Sequence, residues 1–283
     1  MKGLGDNDVR DGIRERILVA GDKNDARLVG ELACSLLWHY RIAHTGCQVT
    51  DFPYELTRSY QSGSCLVATY SGVGKVLIDG EWVILENGSA CLLPPYAFNS
   101  IQAVEGREWG FVWVKYLEDA GSRPVVTAMS PISGKMAVSP LYHAIVGLHD
   151  ACESGECLSA QNLWVELIHK YVLHFSQPKV EDERVWHLWM AVEKRLAYAW
   201  SLEEMATIAK LSKEQLRRLC QKQFGRSPMQ QLAYLRMRQA RYLLGATQMK
   251  IANIAAQLGY ADSHSFTKAF KKLNGISPSA MRM

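Results

Sequence analysis

Two groups of long polar side chains stand fifty residues apart in matching positions. Glu214, Arg217, Arg218 and Gln221 lie in IAKLSKEQLRRLCQKQFGRSP (208–228), and His264, Thr267, Lys268 and Lys271 lie in LGYADSHSFTKAFKKLNGISP (258–278). Steps of three and four residues place each group on one face of a helix. Such donors and acceptors can reach base edges and phosphates from a groove of duplex DNA. The opposite faces are apolar: Leu216, Leu219 and Cys220 in the first copy, Phe266, Ala269, Phe270 and Leu273 in the second. A single charged face would be an ordinary solvated surface, but this one is duplicated and strongly basic. Residues 184–283 hold 17 Lys and Arg against 5 Asp and Glu, whereas residues 1–183 hold 15 against 23. That asymmetry fits a DNA-binding module joined to a part with another task.

A second constellation lies upstream. Trp109, Phe111 and Trp113 alternate, so a strand would project all three from one face, and Tyr70 and Trp82 are expected to join them. An aromatic face inside a barrel stacks the apolar side of a sugar ring while a few polar groups fix its hydroxyls. His44, Arg58, Tyr60 and Asn99 are the polar candidates. The histidines show no metal-ligand spacing, so neither a metal nor another cofactor is expected. Seven cysteines, at 34, 47, 65, 91, 152, 157 and 220, form no CxxC pair. Buried reduced thiols are the expectation, and Cys152 with Cys157 is the pair a redox switch would use.

These side chains need elements to hold them. Each DNA-facing copy reads as a short helix, a tight turn and a second helix. Ser212 caps a helix from 213 to about 223, and Asp262 or Ser263 caps its counterpart. Ahead of them, a helix over 184–199 turns Val185, Leu188, Val192 and Leu196 inward. Between them, Ser227 and Pro228 open a long helix that ends before Gly245. Residues 31–117 read as short strands, with Asp79-Gly80 and Asn87-Gly88 as hairpin turns, hence a β-barrel or sandwich. Helical periodicity follows, with Trp164, Ile168, Tyr171 and Phe175 as an aromatic-rich stripe assigned to pairing two subunits. The expected organisation is a mobile arm over 1–30 with at most one helical turn, a barrel over 31–120, a helical region over 121–176, a linker over 177–183 and the DNA-binding module over 184–283. The fold class is α+β multidomain. No run of eighteen apolar residues and no leader-like segment occurs, so a cytoplasmic protein without membrane contact is expected.

The last hundred residues resemble the AraC/XylS family of transcription regulators. The resemblance rests on Trp200 to Glu204, Leu211-Ser212, Gly225-x-Ser227-Pro228, the LxxLRMxxAxxLL run from Leu232 to Leu244, the IxxIAxxLGY run from Ile251 to Tyr260, and Gly275 to Pro278. Two positions depart from it: Lys210 stands where the family usually has Gly or Asn, and Cys220 where it often has Phe. The resemblance implies two helix-turn-helix units that meet successive major-groove segments, with 214, 217, 218, 264 and 268 nearest the bases. Upstream, Gly72-x-Gly74, Asp79-Gly80 and Gly88 through Pro94-Pro95-Tyr96 resemble the cupin-type sensor barrel of the same family. Metal-binding cupins carry His-x-His in the first motif and a later His in the second. Here residues 74–81 contain no His and Asn99 takes the later place, which disfavours a metal-dependent enzyme. The family reading implies a small-molecule effector, a sugar first, together with a homodimer and contact with RNA polymerase as an activator. A cupin-type enzyme fused to a DNA-binding module and a redox-responsive regulator are the alternatives.

Overall fold

A computed structural model describes residues 16–19, 24–58, 63–78, 81–96, 99–117, 125–126, 130, 132–177 and 182–282. The chain divides into two compact units, Met1–Gln177 and Pro178–Met283. Tyr60, the Asp79-Gly80 turn, most of the arm and the centre of the linker lie outside the described residues.

The first unit is built on antiparallel strands: β1 (Arg16–Val19), β2 (Asn24–Gly30), β3 (Ile42–Thr50), β4 (Glu55–Arg58), β5 (Cys65–Ile78), β6 (Glu81–Glu86), β7 (Ser89–Leu93), β8 (Asn99–Ala103), β9 (Trp109–Tyr116) and β10 (Ser133–Lys135). A 3-10 helix spans Ser35–Tyr40, and α1 (Val138–Glu153) and α2 (Leu158–Ser176) follow the strands. The strand order is β1-β4-β8-β5-β9-β3-β2. Strand β5 is the shared element. Its first half pairs with β7 and β9 and its second with β6 and β8, with an irregularity between Thr69 and Ser71.

Period-two alternation then separates two cores. Trp109 and Phe111 of β9 face an inner cluster with Leu56, Val67, Val76 and Ile101. Val112, Val114 and Tyr116 of the same strand face an outer cluster where α1 and α2 pack. The expected arm is corrected here, because β1 pairs with β4 and β2 pairs with β3 along its whole length. Val29 is buried in the outer core, so this short segment gains by covering the edge of β3. Its alternation is too brief to stand out among the surrounding charges.

The stripe on α2 also proves to be a packing face. Ile168 is fully buried and Phe175 nearly so, both in the outer core, with Trp164 and Tyr171 packed against it. The indole of Trp164 lies where a side chain on Gly147 of α1 would sit. What α2 turns outward is Leu163, 66% exposed, and Leu167, 38% exposed.

The second unit is all-α: α3 (Glu183–Lys194), α4 (Leu202–Ile208), α5 (Lys213–Phe224), α6 (Pro228–Ala246), α7 (Ile251–Gln257), α8 (Ser263–Asn274) and α9 (Pro278–Arg282). Helix α3 stops before the expected 199, and α6 runs on through Gly245 to a cap at Thr247. The repeat is imperfect in its packing. Leu273 is 40% exposed rather than inward, and Ile208 is exposed although its counterpart Leu258 is buried. Both exposed residues fall at helix ends, where the packed stripe has run past its neighbours.

Candidate nucleic-acid interface and effector site

Local sequence explains the two outward helices of the second unit. Ser212 accepts from the Gln215 amide at 3.1 Å while the Gln215 side chain accepts from the Ser212 amide at 3.0 Å, a closed capping box at the start of α5. Asp262, the choice left open between two residues, caps α8 by accepting from the Ser265 amide at 2.7 Å. Those bonds hold its carboxyl below the ordinary carboxylate value. Lys210 sits in the turn before α5 at φ 52°, the left-handed conformation that explains why Gly or Asn is usual at this place.

Beyond the caps, Glu214, Arg217, Arg218 and Gln221 are all exposed on α5, opposite the buried Leu216 and Cys220. Arg217 leans on Glu214 at 3.5 Å. On α8, His264, Lys268 and Lys271 are exposed opposite the buried Phe266 and Phe270. Thr267 is half-buried and donates to the Ser263 carbonyl at 2.7 Å, so its hydroxyl proton is committed to its own helix.

The relation between the helix pairs depends on a residue that sequence reasoning missed. Arg236 of α6 donates through Nε to the Leu196 carbonyl and through Nη2 to the Tyr198 carbonyl, each at 2.9 Å, and lies over the Tyr260 ring. It therefore ties the segment before the first helix pair to the turn of the second. Gly259 in that turn has φ 78°, and a Cβ there would stand 2.4 Å from the Ala197 carbonyl oxygen. An Arg within an otherwise buried helix face was the available signal.

In the first unit the structure divides the proposed effector residues. Trp109 is fully buried, stacked on Phe111 at 4.2 Å, and donates through Nε1 to the Thr69 hydroxyl at 2.9 Å. It fills the inner core near the bend of β5. Trp113 remains half-buried and donates through Nε1 to His44 Nδ1 at 2.8 Å, which leaves the His44 ring proton on Nε2. Gly46 makes this possible, because any Cβ there would overlap the Trp113 ring.

Arg58 and Asn99 face each other in register on β4 and β8, both buried, and lie two residues along their strands from Leu56 and Ile101 of the inner core, hence on the same face. Among the described residues, Arg58 Nη1 is a buried donor without a hydrogen-bond partner. Strand alternation from Trp113 also brings in Lys115, which was missed. It is buried and donates to the carbonyls of Gly63 at 3.1 Å and Tyr116 at 3.0 Å.

Two expected members are elsewhere. Tyr70 follows Thr69 onto the opposite face and packs on Tyr142 of α1 at 4.3 Å. Trp82 is 42% exposed on β6, beneath the Lys75 ammonium. Both are removed from the inner set by the same period-two rule that places Trp109 and Trp113 in it. Among the described residues no group of three His, Cys, Asp or Glu could hold a metal ion.

Residues 205–283 match the family described as Helix-turn-helix domain. The chain is 27% identical over 229 residues to the uncharacterized HTH-type transcriptional regulator YidL of Escherichia coli, covering 76% of this chain and 73% of that protein. It is 26% identical to the arabinose operon regulatory protein of Salmonella typhimurium, covering 78% and 83% of the two chains. Over most of its length the chain is similar to regulators of the AraC/XylS type. It is also 25% identical to the raffinose operon regulatory protein RafR of Pediococcus pentosaceus, over 78% of this chain and 82% of that one. It is a DNA-binding transcription regulator, and its second unit carries the helix-turn-helix module. No described helix is long and apolar enough to cross a membrane.

Proposed function

We propose that this AraC/XylS-type regulator is a cytoplasmic, non-catalytic activator that senses a sugar on the inner face of the strands of its first unit, reads a promoter with α5 and α8, and contacts RNA polymerase. The observation that carries the sensing half is the inward group of Trp113, His44, Arg58 and Asn99. A half-open indole braced by an imidazole and, on the same inner face of the strands, a buried guanidinium with an uncommitted donor are an aromatic shelf and a polar anchor of the kinds that hold a sugar. The relatives that regulate arabinose and raffinose operons favour the same ligand class. The cupin-like character of the sheets belongs to this reading, as does a homodimer whose seam is the outward face of α2, with Leu163 and Leu167, rather than the buried stripe.

For DNA, the exposed faces divide unequally. Arg218 is exposed beside Arg217 and Gln221, whereas α8 offers His264, Lys268 and Lys271, point charges and an imidazole rather than a second arginine fork. Copy one is assigned base readout and copy two more of the phosphate anchoring. Sites recovered by selection from random DNA, with and without sugars, supply the substrate for the test. Arg218→Ala should then lose about 1–3 kcal/mol on the selected site and little on random DNA. Lys271→Ala should weaken both alike and flatten the salt dependence. Equal losses on both DNAs for Arg218→Ala would overturn the division.

A further inference from the structure

The inner face of the first unit carries two buried cations, Arg58 at 9% exposure and Lys115 at 2%. Strand β5 bends between Thr69 and Ser71, and its two ends, Cys65 and Ile78, belong to the same inner cluster. Lys115 of β9 is in register with Cys65, and Trp113 precedes it by two residues on the same face. On the other half of β5, Leu77 is in register with Ser100 of β8, which puts Asn99 at the level of Ile78, with Arg58 of β4 opposite it. Both cations therefore stand at strand ends far from the bend, whose own end is filled by Trp109, in register with Gly72. Lys115 rests its ammonium on neutral acceptors, the carbonyls of Gly63 and Tyr116. Among the described residues of the first unit no Asp or Glu is buried. Glu55, the one acid of β4, lies on the opposite face of that strand and accepts from the hydroxyls of Thr57 and Ser100. Arg58 Nη1 has no hydrogen-bond partner among these residues.

A guanidinium keeps its charge when buried, and burying it without a counter-charge is costly. The hydroxyls of a neutral sugar can occupy its donors but leave the charge unmatched. A carboxylate or a phosphate meets both needs, because two of its oxygens fit the fork of the guanidinium. We propose that the sugar sensed by the first unit carries an anionic group, a carboxylate or a phosphate, and that Arg58 pairs with it while Lys115 adds a second positive charge to the same inner face. This rests on the sugar-sensing reading above and narrows it from sugars at large to charged ones. Trp113 keeps its place as the shelf for the apolar side of the ring, braced by His44, which is itself in register with Lys115.

Titration calorimetry on the full-length protein compares neutral hexoses with their uronic acids, with the methyl esters of those acids and with their 6-phosphates. An acid or a phosphate should bind about 10- to 100-fold more tightly than its neutral parent, and the methyl ester, equal in shape but uncharged, should lose the gain. Whether the uronate or the phosphate gains tells the two anions apart. In R58Q the ratio of charged to neutral affinity should fall towards one; if that variant does not fold, the ester comparison on the unsubstituted protein decides. Equal or better binding of the neutral sugar overturns the anion and leaves sugar sensing standing, and an undiminished ratio in folded R58Q overturns the role of Arg58. Cyclohexanecarboxylate, a ring with the charge and none of the hydroxyls, separates the remaining cases. If it binds and no sugar does, the anion site stands and the sugar reading falls; if nothing binds, both fall.

Discussion

His169 of α2 shows how one side chain ties helix to sheet. Its Nδ1 shares a hydrogen bond with the Tyr116 hydroxyl at 2.9 Å, and its ring lies 5.1 Å from that of Tyr40. Burial pushes the imidazole below its ordinary 6.5 and pushes the Tyr116 phenol up, so both partners are neutral at pH 7. The unfolded chain takes up the proton near 6.5 while the folded chain resists it. The contribution of His169 to stability is therefore complete above about pH 6.5 and is lost as pH falls through the depressed folded value. Thermal melts of the protein should accordingly fall between pH 7 and 5.5. His169→Asn, which keeps an acceptor near Nδ1 but cannot be protonated, should make that fall measurably shallower; an unchanged pH profile would count against the assignment.

At the scale of elements, α6 acts as a spacer. It runs from Pro228 to Ala246, about 28 Å at 1.5 Å per residue, of the order of one turn of DNA. Its start is legible in sequence, since Ser227 and Gln230 close a capping box around Pro228. Its fixed relation to both helix pairs comes from Arg236 and from the close passage of Gly259 under Ala197. Gly259→Ala should destabilise the second unit by about 1–3 kcal/mol, because alanine resists the positive φ and meets a backbone oxygen. Urea unfolding of the variant checks this. A midpoint equal to that of the parent would show that the turn tolerates a side chain and is not a fixed point of the spacer.

At the scale of the molecule, the acidic first unit and the basic second unit meet the two demands of a regulator separately, and the proposed subunit seam lies in the first. The outward leucines of α2 sit on a helix whose other face is spent on the core. Leu163→Lys with Leu167→Lys should give a monomer in sedimentation velocity with an unchanged melting temperature, since both positions are exposed. Ile168→Ala should behave differently, lowering the melting temperature by opening a cavity beneath α2. A dimer that survives the double lysine variant would move the seam elsewhere.

The sequence by itself determined the parts whose rules are local. The caps at Ser212 and Ser227 and the outward faces of α5 and α8 follow from helical periodicity and side chains that bond their own backbone, and the inward turn of Trp109 and Trp113 follows from strand alternation. Only the tertiary structure decided what lies across from each face. The stripe of Ile168 and Phe175 is equally apolar whether it meets a second subunit or β-strands of its own chain, and the packed sheet chose the latter. Tyr70 and Trp82 are as aromatic as Trp113, but the register of β5 and β6 turns them away. Periodicity fixes direction within an element, and long-range packing fixes the partner.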